Sequence, residues 1–74
     1  MKSKNIKIGE LGKVYAFAEL ALNVEGDVVV RKGKFCVDGK SILGLLALDL
    51  TTGAIVEYPE DAVAFENFIS FYEV

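Results

Sequence analysis

The chain contains no histidine, one cysteine and one proline in 74 residues. Without histidine there is no Ser–His or Cys–His nucleophile pair, no Cys/His zinc site and no phosphorylation on imidazole. A single cysteine excludes a disulfide framework, and Cys36 is expected as a small buried hydrophobe. Long apolar runs are also missing. The longest apart from glycine is Ile42–Leu48, far short of a membrane span. Met1-Lys2-Ser3-Lys4 is polar and leads into no long apolar stretch, so no signal peptide and a cytoplasmic location are expected. Positive charge is scarce: 8 Lys and Arg stand against 11 Asp and Glu, for a net charge of −3. A nucleic-acid grip, which rests on clustered Lys and Arg, is therefore not expected. The small basic groups Lys2, Lys4, Lys7 and Arg31, Lys32, Lys34, and the acidic tail Glu57 to Glu73, read as solvated surface.

What is present is globular. Hydrophobic residues make up 53 % and charged residues 26 % of the chain, which is not the composition of a disordered segment. The length suits one domain over residues 1–74. Size scaling gives a folded surface of about 4,500 Å², which buries roughly 60 % of the extended chain's surface.

Apolar spacing supplies the elements. Lys4–Ile8 alternates, with Ile6 and Ile8 on one face of a strand. Val14, Phe17, Ala18 and Ala21 follow one helical face over residues 11–23. Asp27–Arg31 is β-branched, Lys32-Gly33 signals a tight turn, and Lys34–Val37 completes a hairpin with Phe35 and Val37 on one face. Lys40-Ser41 reads as a helix start before Ile42–Leu48. Ala54–Tyr58 is a strand. Pro59 pre-sets a last helix with Glu60 and Asp61 in its first turn and Ala62, Phe65, Ile69 and Tyr72 as its helical stripe. The order β-α-β-β-α-β-α implies a two-layer α+β domain with the helices on one face of a four-stranded sheet.

The run Lys40-Ser41-Ile42-Leu43-Gly44-Leu45-Leu46-Ala47-Leu48, followed by Gly53 and Ala54-Ile55-Val56, resembles the HPr family, the phosphocarrier proteins of the bacterial sugar phosphotransferase system. The family pattern is Lys-Ser-Ile-(Met/Leu)-Gly-(Leu/Val)-Met-Ser-Leu with a glycine five residues on, and the element order agrees over residues 4–73. The resemblance implies an open-faced sandwich with an antiparallel sheet in the order 1-4-2-3. Its active-site motif, Gly-(Ile/Leu)-His-Ala-Arg-Pro, is not kept. Counting back from Ser41 places Glu10 at the phosphorylated histidine, and Leu11, Gly12 and Lys13 at the Ala, Arg and Pro positions.

Three readings of Glu10 stand together: an acid in the first helical turn, a fixed charge that mimics a phosphorylated surface, or a carboxylate that itself takes phosphate. The resemblance also implies that Ser41 is the site of a dedicated serine kinase, while the residue alone reads as an N-cap. Lys40 either docks that phosphate or is solvated. Ile42, Leu43 and Leu46 match an exposed apolar patch, which with Lys40, Gly12 and Lys13 makes up the expected partner-binding set, whereas Leu45 and Leu48 face the sheet. The expected function is a non-enzymatic interaction module with no metal and no cofactor. Its expected partners are proteins of the phosphotransferase system or of carbon regulation, and the chain itself a monomer or weak homodimer. A phosphoryl carrier using Glu10 and a self-associating scaffold are the alternatives.

Overall fold

The computed structural model describes all 74 residues, with an accessible surface of 4463 Å². In chain order the elements are β1 (Lys2–Ile6), α1 (Leu11–Leu22), β2 (Val29–Lys32), β3 (Phe35–Asp38), α2 (Ile42–Leu48), β4 (Ala54–Tyr58) and α3 (Val63–Ser70), with a short 3-10 turn at Leu50–Thr52. The strands form one antiparallel sheet in the order β1-β4-β2-β3. This is the expected α+β open-faced sandwich. No helix is long and apolar enough to cross a membrane.

Register decides which side chains enter the core. Val30 lies opposite Val56 on β4 and Val37 on β3, and all three point toward the helices. On the other face Arg31 lies opposite Ile55 and Cys36, and that face is left to solvent. From the helix layer, α1 contributes Val14, Phe17, Ala18 and Ala21, α2 contributes Leu45 and Leu48, and α3 contributes Phe65 and Ile69. Phe65 is the aromatic junction, edge-on to Phe17 at 5.1 Å and to Tyr58 at 5.8 Å between ring centroids. The buried Tyr58 hydroxyl donates to Glu66 Oε2 at 2.6 Å, and Lys2 Nζ reaches the same oxygen at 3.0 Å. The phenol's polar end is thereby satisfied, and β1, β4 and α3 are tied at one corner.

Local expectations moved where a tertiary partner intervened. β1 begins at Lys2 and ends at Ile6 because Lys2 and Ser3 pair with Tyr58 and Glu57. Ile8 is buried as expected but lies beyond the strand, its N–H bonded to the Leu50 carbonyl at 3.0 Å. Pro59 opens a turn, its carbonyl accepting from Ala62 N–H at 3.2 Å, so Glu60 and Asp61 precede α3 and Glu66 is the acid of its first turn. Cys36 is exposed, because its face of the sheet has no covering layer. The β2–β3 hairpin closes on Gly33-Lys34, with Gly33 at φ 59°, the positive φ that the first position of a II′ hairpin loop requires.

Candidate functional site

The start of α1 and the exposed face of α2 meet at one edge of the helix layer. Glu10 is the N-cap residue of α1, with an extended backbone at φ −108°, and its carbonyl accepts from Lys13 and Val14 N–H at 3.0 and 3.2 Å. Its side chain makes no capping bond and is exposed, as are Gly12 and Lys13. A Cβ built on Gly12 meets nothing within 4 Å. Packing therefore does not demand glycine there, and a longer side chain would have room.

Between Glu10, Leu11, Leu46, Asp49 and Thr51 lies a shallow depression of about 160 Å³. Its lining holds two carboxylates and no cation. Asp49 was not anticipated from sequence. It adopts φ 61°, a left-handed conformation in which a short polar side chain can bond locally. Asp49 Oδ1 accepts from Thr51 N–H at 3.1 Å and Thr51 Oγ1–H at 2.6 Å. Those bonds hold the Asp49 carboxyl below the usual carboxylate range. The Asp-Leu-Thr run was a readable signal for this local Asx turn. Lys32 supports the same corner, its Nζ donating to the carbonyls of Leu48 and Asp49 at 3.1 and 2.6 Å. A lysine there satisfies the last carbonyls of α2 and complements its dipole.

The helix α2 is placed by its cap and by one close approach. Ser41 Oγ accepts from Gly44 N–H at 3.2 Å, the expected N-cap bond. A Cβ on Gly44 would lie 3.2 Å from Val37 Cβ, so the glycine lets α2 sit against β3. Leu45 and Leu48 then face the sheet. Leu43 is 79 % and Leu46 40 % exposed, and Leu11, which lines the depression together with Leu46, is 58 % exposed. Ile42 differs from its neighbours: it is half-buried and packs on the core, sharing a helical face with Leu45 three residues on. Lys40 turns away from Ser41, its Nζ donating to the Val24 carbonyl at 2.9 Å just beyond the end of α1.

The site residues therefore separate into two places. Glu10, Leu11 and Leu46 are brought together at one end of α2, while Ser41 and Lys40 stand at the other. No cluster of His, Cys, Asp or Glu is arranged to hold a metal ion.

No family model matches the chain, and no curated protein sequence matches it. Among solved structures, the crystal structure of a phosphocarrier protein HPr from Bacillus anthracis str. Ames superposes with a TM-score of 0.70 at 18 % sequence identity. The superposition covers 97 % of this chain and 96 % of that one. The fold of this chain, strand order included, is HPr-like.

Proposed function

We propose that this chain is a non-catalytic HPr-like interaction module that binds a protein partner through the exposed ridge Leu11, Leu43 and Leu46. The observation that supports it best is the depression beside that ridge, which offers Glu10 and Asp49 but no cation. A phosphoryl group carried there needs a nucleophile and a positive clamp. At the positions where the resemblance calls for histidine and arginine stand Glu10 and Gly12. An acyl phosphate on Glu10 would replace the single carboxylate charge by about two beside Asp49, which like-charge repulsion disfavours. An apolar ridge with an acidic border suits recognition instead, and the partner it fits carries an apolar surface with basic residues around it.

Ser41 is the second element of this reading. A phosphate on its Oγ would place negative charge at the start of α2, next to Leu43, and so change which partner the ridge accepts. The partners that the resemblance points to are proteins of the phosphotransferase system or of carbon regulation, with a serine kinase as the modifying enzyme.

The test uses the first enzyme of the phosphotransferase system with phosphoenolpyruvate. No acid-labile label should enter the wild-type chain or Glu10→His. Glu10→His with Gly12→Arg should gain label, because residue 12 opens onto free space. Binding of the unphosphorylated chain to the same enzyme should shift the amide resonances of Leu11, Leu43 and Leu46 and be lost in Leu43→Asp. Label on the wild-type chain would establish a carrier and overturn the reading. Binding indifferent to Leu43→Asp would overturn the ridge.

A further inference from the structure

The two edges of the sheet are treated differently. The outer edge of β1 is covered at its Asn5–Lys7 end by the end of the chain: Val74 N–H donates to the Asn5 carbonyl and Lys7 N–H to the Tyr72 carbonyl, both at 2.9 Å. Lys4 adds an ion pair to Glu73 at 3.2 Å. On the outer edge of β3 the Asp38 carbonyl accepts from Ser41 N–H at 3.0 Å, and no other segment bonds to Phe35, Cys36 or Val37. This strand also has neither proline nor a bulge across its four paired residues, two of the devices that protect an exposed edge.

The free backbone groups on that edge can be identified. Gly39 N–H donates to the Val28 carbonyl at 2.7 Å, in phase with the pairs Val30–Val37 and Lys32–Phe35. Bonded and non-bonded pairs alternate in an antiparallel ladder, so Phe35 and Val37 bond toward β2 and Cys36 turns its N–H and C=O outward. β3 together with the turn residue before it, Lys34-Phe35-Cys36-Val37-Asp38, is also complementary to itself. Laid antiparallel on a second copy about Cys36, it sets Lys34 opposite Asp38 and Phe35 opposite Val37, each twice by symmetry. Lys34 is exposed and makes no ion pair or side-chain hydrogen bond within its own chain, and Asp38 is likewise exposed and without an ion pair, its Oδ1 accepting from Lys40 N–H at 2.9 Å. The same operation on β1 about its central Lys4 would oppose two lysines, which is unfavourable.

We propose that β3 pairs with β3 of a second copy across a twofold axis through Cys36, joining two four-stranded sheets into one of eight strands. Cys36 exchanges both backbone hydrogen bonds with its twin. Two Lys34–Asp38 pairs form on the open face of the joined sheet. On the helix side Phe35, which is 69 % exposed in the single chain, lies over Val37 of the second copy. There an apolar groove between β3 and α2, lined by Phe35, Val37, Ala47 and Leu48, receives it. The interface is isologous, so it closes at two copies and leads to no fibre.

Sedimentation equilibrium of the full chain, from about 10 μM to about 1 mM, reads the association directly. The wild type should be a monomer–dimer mixture that shifts toward monomer as salt is raised, because the Lys34–Asp38 pairs are exposed. Lys34→Asp should raise the dissociation constant at least about tenfold, since two attractions become two repulsions. Lys34→Asp combined with Asp38→Lys should recover most of that loss. Circular dichroism confirms that each variant is folded. A short bis-maleimide should link two copies through Cys36 in the wild type and not in Lys34→Asp. A monomer across the whole range, a dimer untouched by Lys34→Asp, or a double variant no tighter than the single one would overturn the proposal.

Discussion

Replacing Leu43, Leu46 and Leu48 one at a time by aspartate tests whether the exposed face of α2 is a surface or a displaced piece of core. Fully burying a leucine is worth about 1.5–3 kcal/mol. Leu43, 79 % exposed, has about a fifth of that at stake, roughly 0.3–0.6 kcal/mol. Aspartate at that position also lies in the first turn of α2, where the dipole favours it by a few tenths. Leu46, 40 % exposed, stands to lose roughly 1–2 kcal/mol. There the charge lies nearer the carboxyl end of the helix and the dipole opposes it. Leu48 is 8 % exposed, so aspartate there loses nearly the whole transfer energy and leaves an unpaired charge in the core. A domain of this length has about 4–11 kcal/mol in total at the usual stability per residue. Thermal unfolding followed by far-ultraviolet circular dichroism separates the three, because 1 kcal/mol moves the midpoint by about 4–8 °C at this size. Leu43→Asp should stay within about 4 °C of wild type, Leu46→Asp should fall by about 5–15 °C, and Leu48→Asp should show no cooperative transition. Equal collapse of all three would refute the placement of α2, and with it the binding ridge.

Two further outcomes follow from the hydrogen bonds. Ser41→Ala should cost about 1 kcal/mol and Ser41→Asp a few tenths at most, measured by urea unfolding; equal losses in both would mean that the bond to Gly44 is not a cap. The Tyr58–Glu66 pair should shape stability at both ends of the pH scale. The Tyr58 bond, and then Lys2, hold the Glu66 carboxyl below its ordinary value, so its contribution is present above about pH 4.3 and is lost as pH falls through the lowered value. Burial, reinforced by the bond to Glu66, holds the Tyr58 phenol above its ordinary value, so its contribution is present below about pH 10 and is lost as pH rises beyond. Tyr58→Phe should flatten both limbs of the midpoint-against-pH curve, and an alkaline limb of unchanged steepness would refute the assignment.

The elements of this protein follow from residues close together in the chain. The spacing of Val14, Phe17, Ala18 and Ala21 sets a helical face, and Ser41 before an apolar run sets a cap. The valines at 28–30 and the glycine at 33 set a hairpin. Each depends on propensity, periodicity or a turn conformation, which act over a few residues and are legible without a fold. Which faces those elements leave open is a different matter. Periodicity shows that Cys36 lies opposite Phe35 and Val37, but only the single covering layer of helices exposes it, and only the strand order puts β3 at the rim. Ile42 is drawn onto the core although it stands next to the exposed Leu43, because α2 meets the sheet along the line that Gly44 opens against Val37. Lys32 reaches the end of α2, and Asp49 comes to share a depression with Glu10, across 17 and 39 residues of chain respectively. Such meetings are set by the crossing of layers, whose geometry is a property of the whole packed core, and no local pattern in the sequence carries them.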